Sequence, residues 1–341
     1  MFKNTYTEYV ASLIKSTGQK NFSSMAKESK TSADTMFRFL RPSEEINAIT
    51  ISIAKKEISK FKTIVCAIDD TMLKKTYART MEGTKKHYDT KIFQSVTSYK
   101  IQIMAISDGK NAIALQTEFM ISENMSYGLF KEAVTHQMIK KAKELFPDQK
   151  IIFSADGAFS TVNILKQCVE TNTNVEMRMH SNRVVTYKNE DISLKKIRDL
   201  KLKGRQKSRT IKIKWHDINL YITAELRTDK YGNRTIVYLV STYFAKPNVH
   251  VKNYKKRWPI EKLFRTCKQY LGLNECRSRK LEIQKNHVAS VFLAHAFLIF
   301  EMKKRKLKTP EDALRALKLK KVDFLNAQLS SFRQIFGDIY A

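Results

Sequence analysis

The rhythm of apolar residues changes along this chain of 341 residues. From Phe2 to about Ile58 it is helical. The spacing predicts a helix over Tyr6–Lys15, a second over Met25–Ser29 capped by Ser23 or Ser24, and a third over Asp34–Leu40. Arg38 and Arg41 stand at or just past the end of the third. This is helix-turn-helix spacing, which many unrelated bundles share.

At Lys62 the rhythm becomes that of strands. Thr63–Ile68 is a short apolar run ending in Asp69-Asp70-Thr71, as a buried strand delivering acids at its C-terminal end would look. Val96–Ile106 and Ala112–Phe119 alternate as two strands around an Asp108-Gly109 turn. Ser126–Phe146 is an amphipathic helix closed by Pro147. Lys150–Ala155 is a second buried strand, ending at Asp156-Gly157. A helix over Ser160–Glu170 and a strand over Val175–Met179 follow. Three strands, a helix, a strand, a helix and a strand is the order of an RNase H-like core, an α/β fold with a mixed sheet. Both Asp70 and Asp156 would lie at the sheet edge where such folds place their chemistry.

From about Arg183 to Val240 alternation returns without helices. Ile211–Trp215, Leu220–Leu226 and Thr235–Val240 read as strands, with a turn at Tyr231-Gly232-Asn233. Lys195–Lys214 is heavily basic, so a β-rich insertion with one basic face is expected. A helix over Val249–Tyr270 must kink or restart at Pro259. Another over Glu282–Arg305 packs behind it, and the tail from Thr309 forms one or two short helices. The expected organisation is a helical DNA-binding module over 1–60, the first part of the core over 61–182, the insertion over 183–244, the second part of the core over 245–306, and a helical tail over 307–341.

Charge narrows the function. Sixty-three Lys and Arg against 33 Asp and Glu leave a net +30. Such an excess repels itself unless polyanions answer it, and nucleic acid is the usual answer. The four cysteines lie far apart and form no Cys-x-x-Cys pair, which argues against a zinc site or disulfide framework and fits a reducing cytoplasm. The start of the chain lacks an apolar signal core. The run Val288–Phe300 contains His295 and is too short to span a bilayer, so no membrane partner is expected.

The densest chemistry is Tyr254-Lys255-Lys256-Arg257-Trp258-Pro259-Ile260-Glu261, followed by Lys268. On a helix, Tyr254, Arg257, Glu261 and Lys268 share one stripe. It offers a hydroxyl, a guanidinium fork, a carboxylate and an ammonium, a set suited to a divalent metal lying against a phosphodiester. The folded core would bring Asp70, Asp156 and Glu261 together. Gathered carboxylates repel and call for divalent cations, and oxygen ligands favour Mg²⁺ or Mn²⁺ over zinc. Two such ions roughly 3.5–4 Å apart activate an attacking hydroxyl and stabilise a leaving oxygen. Arg178, His180, Asn182 and Arg183 form a polar cluster after the last core strand and read as lining a DNA path, or as solvating a strand end. Trp258 reads equally as a DNA contact or a core aromatic. His87, His136 and the remaining histidines show no partner spacing.

These residues resemble the DDE transposases of bacterial insertion sequences, in the subgroup named for its Tyr-(2)-Arg-(3)-Glu-(6)-Lys signature, which Tyr254, Arg257, Glu261 and Lys268 meet at every position. Ala67-Ile68-Asp69-Asp70-Thr71 looks like the first-acid motif, and Ser154-Ala155-Asp156-Gly157 like the second. The resemblance spans roughly Ile64 to Phe300. It implies Asp70, Asp156 and Glu261 as catalytic ligands of two Mg²⁺ or Mn²⁺ ions, with Asp69 the neighbour turned to the other face. It implies Tyr254, Arg257 and Lys268 as phosphate contacts. It also implies an aromatic in the insertion to hold a flipped base, Tyr238 or Trp215 here. The expected activity is binding of terminal inverted repeats, nicking at the element ends and joining of the 3′-hydroxyl to target DNA, by a homodimer in a synaptic complex. The alternatives are a nuclease of the same fold without strand transfer, and a non-catalytic basic DNA-binding regulator.

Overall fold

The computed structural model describes residues 5–29, 31–58, 61–76, 78, 80–121 and 126–337. The ends of the expected helical module and tail, 1–4 and 338–341, lie outside them.

Four helices come first: α1 (Thr5–Lys15), α2 (Phe22–Ser29), α3 (Ala33–Arg38) and α4 (Ser43–Ile58). Ser32 caps α3 through the Thr35 N–H. The core follows with β1 (Thr63–Lys74), β2 (Lys85–Asp89), β3 (Gln94–Ser107), β4 (Ala112–Phe119), α5 (Tyr127–Leu145), β5 (Lys150–Ala155), α6 (Val162–Glu170) and β6 (Asn174–Met179). Ser126 and Thr161 cap α5 and α6 as their hydroxyls require. Strand order β4-β3-β1-β5-β6, with β1, β5 and β6 parallel and β3 antiparallel to β1, is the RNase H-like sheet. The outer edge of β3 is shared, β2 taking its first part and β4 its second.

Five further strands follow: β7 (Val184–Tyr187), β8 (Glu190–Ser193), β9 (Ser208–Trp215), β10 (Ile218–Thr228) and β11 (Arg234–Ser241). They do not form a sheet of their own. β11 pairs antiparallel with β6, so the insertion continues the core sheet to eleven strands.

The last helices are α7 (Pro247–Lys255), α8 (Pro259–Tyr270), α9 (Leu281–Lys304), α10 (Pro310–Lys318) and α11 (Val322–Gly337). Pro259 restarts rather than kinks the expected signature helix. Lacking an N–H, it sits at the first position of α8, where no donor is needed. A Thr309–Asp312 capping box starts α10.

The hydrophobic core is continuous from Tyr9 in α1 to Phe332 in α11. α1 and α4 lie on α9, and Tyr9 hydrogen-bonds the buried His287 at 2.7 Å. The N-terminal helices therefore share the core of the sheet domain. α9 is buried along almost its whole length, as its apolar run requires. No helix among the described residues is long and apolar enough to cross a membrane.

Candidate active site

The site is set by a change of partner along β1. Its first half pairs in parallel with β5, from Thr63↔Lys150 to Ile68↔Ala155. There β5 ends, while β1 runs on through Asp69 and Asp70 to Lys74 against β3 alone. The expectation that β1 ends at its acids is corrected, because the antiparallel ladder with β3 holds the backbone extended past them. Successive side chains of a strand point to opposite faces, so Asp69 and Asp70 are turned apart. Asp156 follows directly after β5, and its charge acts on Asp69 and also on Lys100 and Tyr127, the partners of Asp70.

The side chains follow that geometry. Arg257 donates from one terminal nitrogen to Asp69 Oδ2 at 3.1 Å and from the other to Glu261 Oε1 at 2.6 Å. It is itself buried. Burial pushes the Asp69 carboxyl up to about 7; Arg257 opposes the shift and the negative charge of Asp156 adds to it. Asp70 faces α5, where Tyr127 Oη donates to it at 2.8 Å and the Lys131 ammonium stands at 3.1 Å. Lys100 on β3 lies at 3.8 Å. The expectation that Asp70 joins Glu261 is therefore corrected. Strand alternation holds, but it turns Asp69 toward the signature helices and leaves Asp70 neutralised by lysines behind the sheet. Among the described residues, no three His, Cys, Asp or Glu side chains stand close enough to share one metal ion. The guanidinium of Arg257 lies where Asp69 and Glu261 converge.

In front of these groups opens a cleft of ≈ 880 Å³, lined by Asp156, Arg178, Tyr254, Arg257, Trp258 and Glu261, among others. Gly157 also lines it, and a Cβ there would come within 3.1 Å of Nε2 of the exposed His180 side chain. The Tyr254 ring is buried, with Arg227 and Arg257 at 5.6 and 5.8 Å from its centre. Trp258 is 58 % exposed, which sets aside the core reading. Lys268 lies one turn from the end of α8 and donates to Thr71 at 2.6 Å. Burial, then Lys91 and Lys74, depress its ammonium to about 8. The break at Pro259 has thus kept Tyr254, Arg257, Glu261 and Lys268 on one side of the sheet.

Other expected residues fall elsewhere. Arg183 is exposed but stacks over Trp215 at 5.7 Å, away from the cleft lining. Trp215 and Tyr238, offered for a flipped base, are buried in the core and have no ring face free to stack one. Two features gave no warning in the sequence. Glu225 on β10 lines the cleft and pairs with Arg227 and Lys255 at 2.8 and 3.1 Å. His250 on α7, fully buried, hydrogen-bonds Glu176 on β6 at 2.6 Å through Nδ1, while Nε2 accepts the Ala245 N–H at 3.1 Å. Tyr243 donates to the same Glu176 oxygen at 2.5 Å. This network fastens α7 to the sheet.

Residues 60–297, more than half of the chain, match the family profile described as the transposase DDE domain. The chain belongs to that family. No protein of curated function matches it. Among solved structures, the Mos1 mariner paired-end complex with Mn is 11 % identical at a TM-score of 0.21, over 45 % of this chain and 53 % of that one. The Mos1 transposase paired-end complex with the left transposon end is 10 % identical at 0.20, over 50 % and 57 %. The Mos1 strand transfer complex is 12 % identical at 0.19, over 50 % and 56 %. The chain thus spans little more than half of each, and these scores are too low to weigh on fold or function. In this DDE transposase domain the cleft is lined by Asp156 after β5 and Glu261 at the start of α8, with Arg257 joining Glu261 to Asp69 on β1.

Proposed function

We propose that this chain is the transposase of an insertion sequence of the Tyr-Arg-Glu-Lys subgroup, and that Asp69, Asp156 and Glu261 are its catalytic acids. The observation that carries this reading is the bridge made by Arg257, which ties Asp69, one residue past the last pairing of β1 with β5, to Glu261 at the start of α8, while Asp156 follows the end of β5. The donors are all carboxylate oxygens, and the burial and mutual repulsion that raise Asp69 are what a divalent cation relieves. The donor chemistry therefore suits Mg²⁺ or Mn²⁺, two ions in the working enzyme, and these three acids would hold them once the Arg257 guanidinium leaves the point where Asp69 and Glu261 converge. When bound, they supply Lewis-acid stabilisation of the phosphodiester oxygens.

The chain's own groups do the rest. Arg257 and Tyr254 hold phosphate oxygens next to the cleaved bond, and Lys268 holds one further along. Arg178 and Trp258 line the approach. Water attacks phosphorus at the element end and the 3′-oxygen leaves; the freed 3′-hydroxyl then attacks a target phosphodiester in the same way. Two ends must be handled together, so a homodimer is expected in the synaptic complex.

The test uses duplexes bearing the inverted repeats that flank the gene. Asp156→Ala should abolish Mg²⁺-dependent cleavage and leave binding intact; undiminished cleavage would refute the assignment. Pre-cleaved ends offered with supercoiled target separate strand transfer from simple nuclease action. Metal-independent binding with no cleavage of any substrate would mark a non-catalytic regulator.

A further inference from the structure

The hairpin formed by β2 and the start of β3 carries a feature that the catalytic reading does not use. Tyr88 on β2 and Ile92 and Phe93 in the hairpin turn, 90–93, face solvent at 58, 47 and 75 % exposure. Three neighbouring large apolar side chains standing out of a charged surface mark an interaction site more often than chance. Phe93 is also held at φ 53°, in the left-handed region. That is a position for glycine or asparagine, and a bulky aromatic there is strained. The turn is nonetheless fixed: Asp89 pairs with Lys74 and accepts the Lys91 N–H at 2.9 Å, and His87 hydrogen-bonds Ser98 at 2.9 Å.

The surroundings name the partner. Lys85, Lys86 and Lys91 are exposed on the hairpin, and the one acid among them, Asp89, is buried against Lys74. A second copy of this +30 chain would meet that surface with like charge; a polyanion meets it with opposite charge. Position agrees. Lys268 ends the stripe that runs along the cleft and donates to Thr71 on β1; three residues further along that strand Lys74 pairs with Asp89 at the base of the turn, so the hairpin tip stands where that stripe runs out.

Resting on the reading of this chain as a transposase, we propose that the 90–93 turn is a wedge for DNA. Phe93, flanked by Ile92 and Tyr88, inserts against an unstacked base step of the DNA whose backbone crosses Lys268 and Lys91. Apolar side chains set in a basic frame open base steps in this way, and aromatic faces stack bases whatever their sequence. Phe93, 75 % exposed at the tip of a turn pinned by Asp89, is the most exposed of the three side chains.

The experiment places 2-aminopurine at successive steps of the inverted-repeat duplex, in Ca²⁺ buffer so that nothing is cut. Wild-type protein should raise fluorescence severalfold at one step near the element end. Phe93→Gly should abolish that rise and weaken binding about tenfold, yet melt no lower than wild type, since glycine suits the turn. Phe93→Trp should keep the rise. An unchanged fluorescence profile in Phe93→Gly overturns the proposal, as does loss of self-association by the DNA-free variant with normal fluorescence, which would make the tip a contact between copies. If wild type cleaves the duplex in Mg²⁺ but unstacks no step, the wedge fails and the transposase reading stands. If wild type neither binds nor cleaves it, that reading fails and the wedge with it.

Discussion

At the scale of single residues, two adjacent aspartates have been given different work by strand alternation. Strand alternation lets only one of them face the metals, and the family resemblance implied Asp70. The structure instead turns Asp69 to Arg257 and Glu261 and Asp70 to Lys131 and Tyr127, a long-range arrangement that supports the proposal of Asp69. A decisive comparison follows. Asp69→Asn removes a proposed ligand and should cut Mg²⁺-dependent cleavage by more than about 100-fold, the scale of losing one preorganised group at the reacting centre. Asp70→Asn removes only the partner of Lys131, Lys100 and Tyr127 and should keep cleavage within about tenfold. Single-turnover cleavage of the inverted-repeat duplex measures both; equal losses, or the reverse order, would return the role to Asp70. That Arg257, Glu261 and Lys268 would lie along one stripe was readable because their spacing is local. Glu225 was not, since a lone acid on a strand announces nothing until a cleft forms in front of it.

At the scale of elements, most strands and helices were readable where burial enforces a period: β4 and β5 fall on their expected limits, and α9 within one residue at each end. β2 was missed because Lys85–Asp89 has no apolar alternation; it is an edge strand held by β3. Of the insertion's strands β9, β10 and β11 were readable and the four-residue β7 and β8 were not; nor was the joining of β11 to β6, as pairing partners leave no mark on a single strand. The same holds for the fastening of α7. Glu176 on β6 is buried, its carboxyl raised by burial and held back by the His250 hydrogen bond. His250→Ala would leave that buried carboxyl with Tyr243 as its remaining donor and the Ala245 N–H without its acceptor. Such a loss costs about 2–4 kcal/mol. Glu176→Met with His250→Leu, which removes both polar partners, should recover much of it. Urea unfolding measures the difference; a single variant as stable as wild type would show that the pair does not secure α7. Because α7 delivers Tyr254 and positions Arg257, cleavage by His250→Ala should fall even at temperatures where the variant stays folded.

At the scale of the whole molecule, two opposed proton linkages cross the acid range. His287, buried between Tyr9 and the Gly272 carbonyl, and His295, buried in α9, are both depressed by burial to about 4. In the unfolded chain an imidazole takes its proton near 6.5. Between those values the unfolded state binds more protons, so these two sites lose stability as pH falls from 6.5 toward 4. From pH 7 to pH 5 each contributes a loss of about 2 kcal/mol. Asp69 acts the other way. Its folded value is about 7 and its unfolded value near 4, so the folded state holds the extra proton between them and gains stability as pH falls. Over the same interval it returns about 2 kcal/mol. Wild type in metal-free buffer should therefore weaken only modestly between pH 7 and pH 5. Asp69→Asn removes the compensating site and should show roughly twice that loss, about 4 kcal/mol. Urea unfolding at the two pH values measures both slopes. Equal slopes would mean that Asp69 is already ionised in the folded protein, and that the buried acid beside Asp156 does not carry the unmet charge on which its pairing with a divalent cation depends.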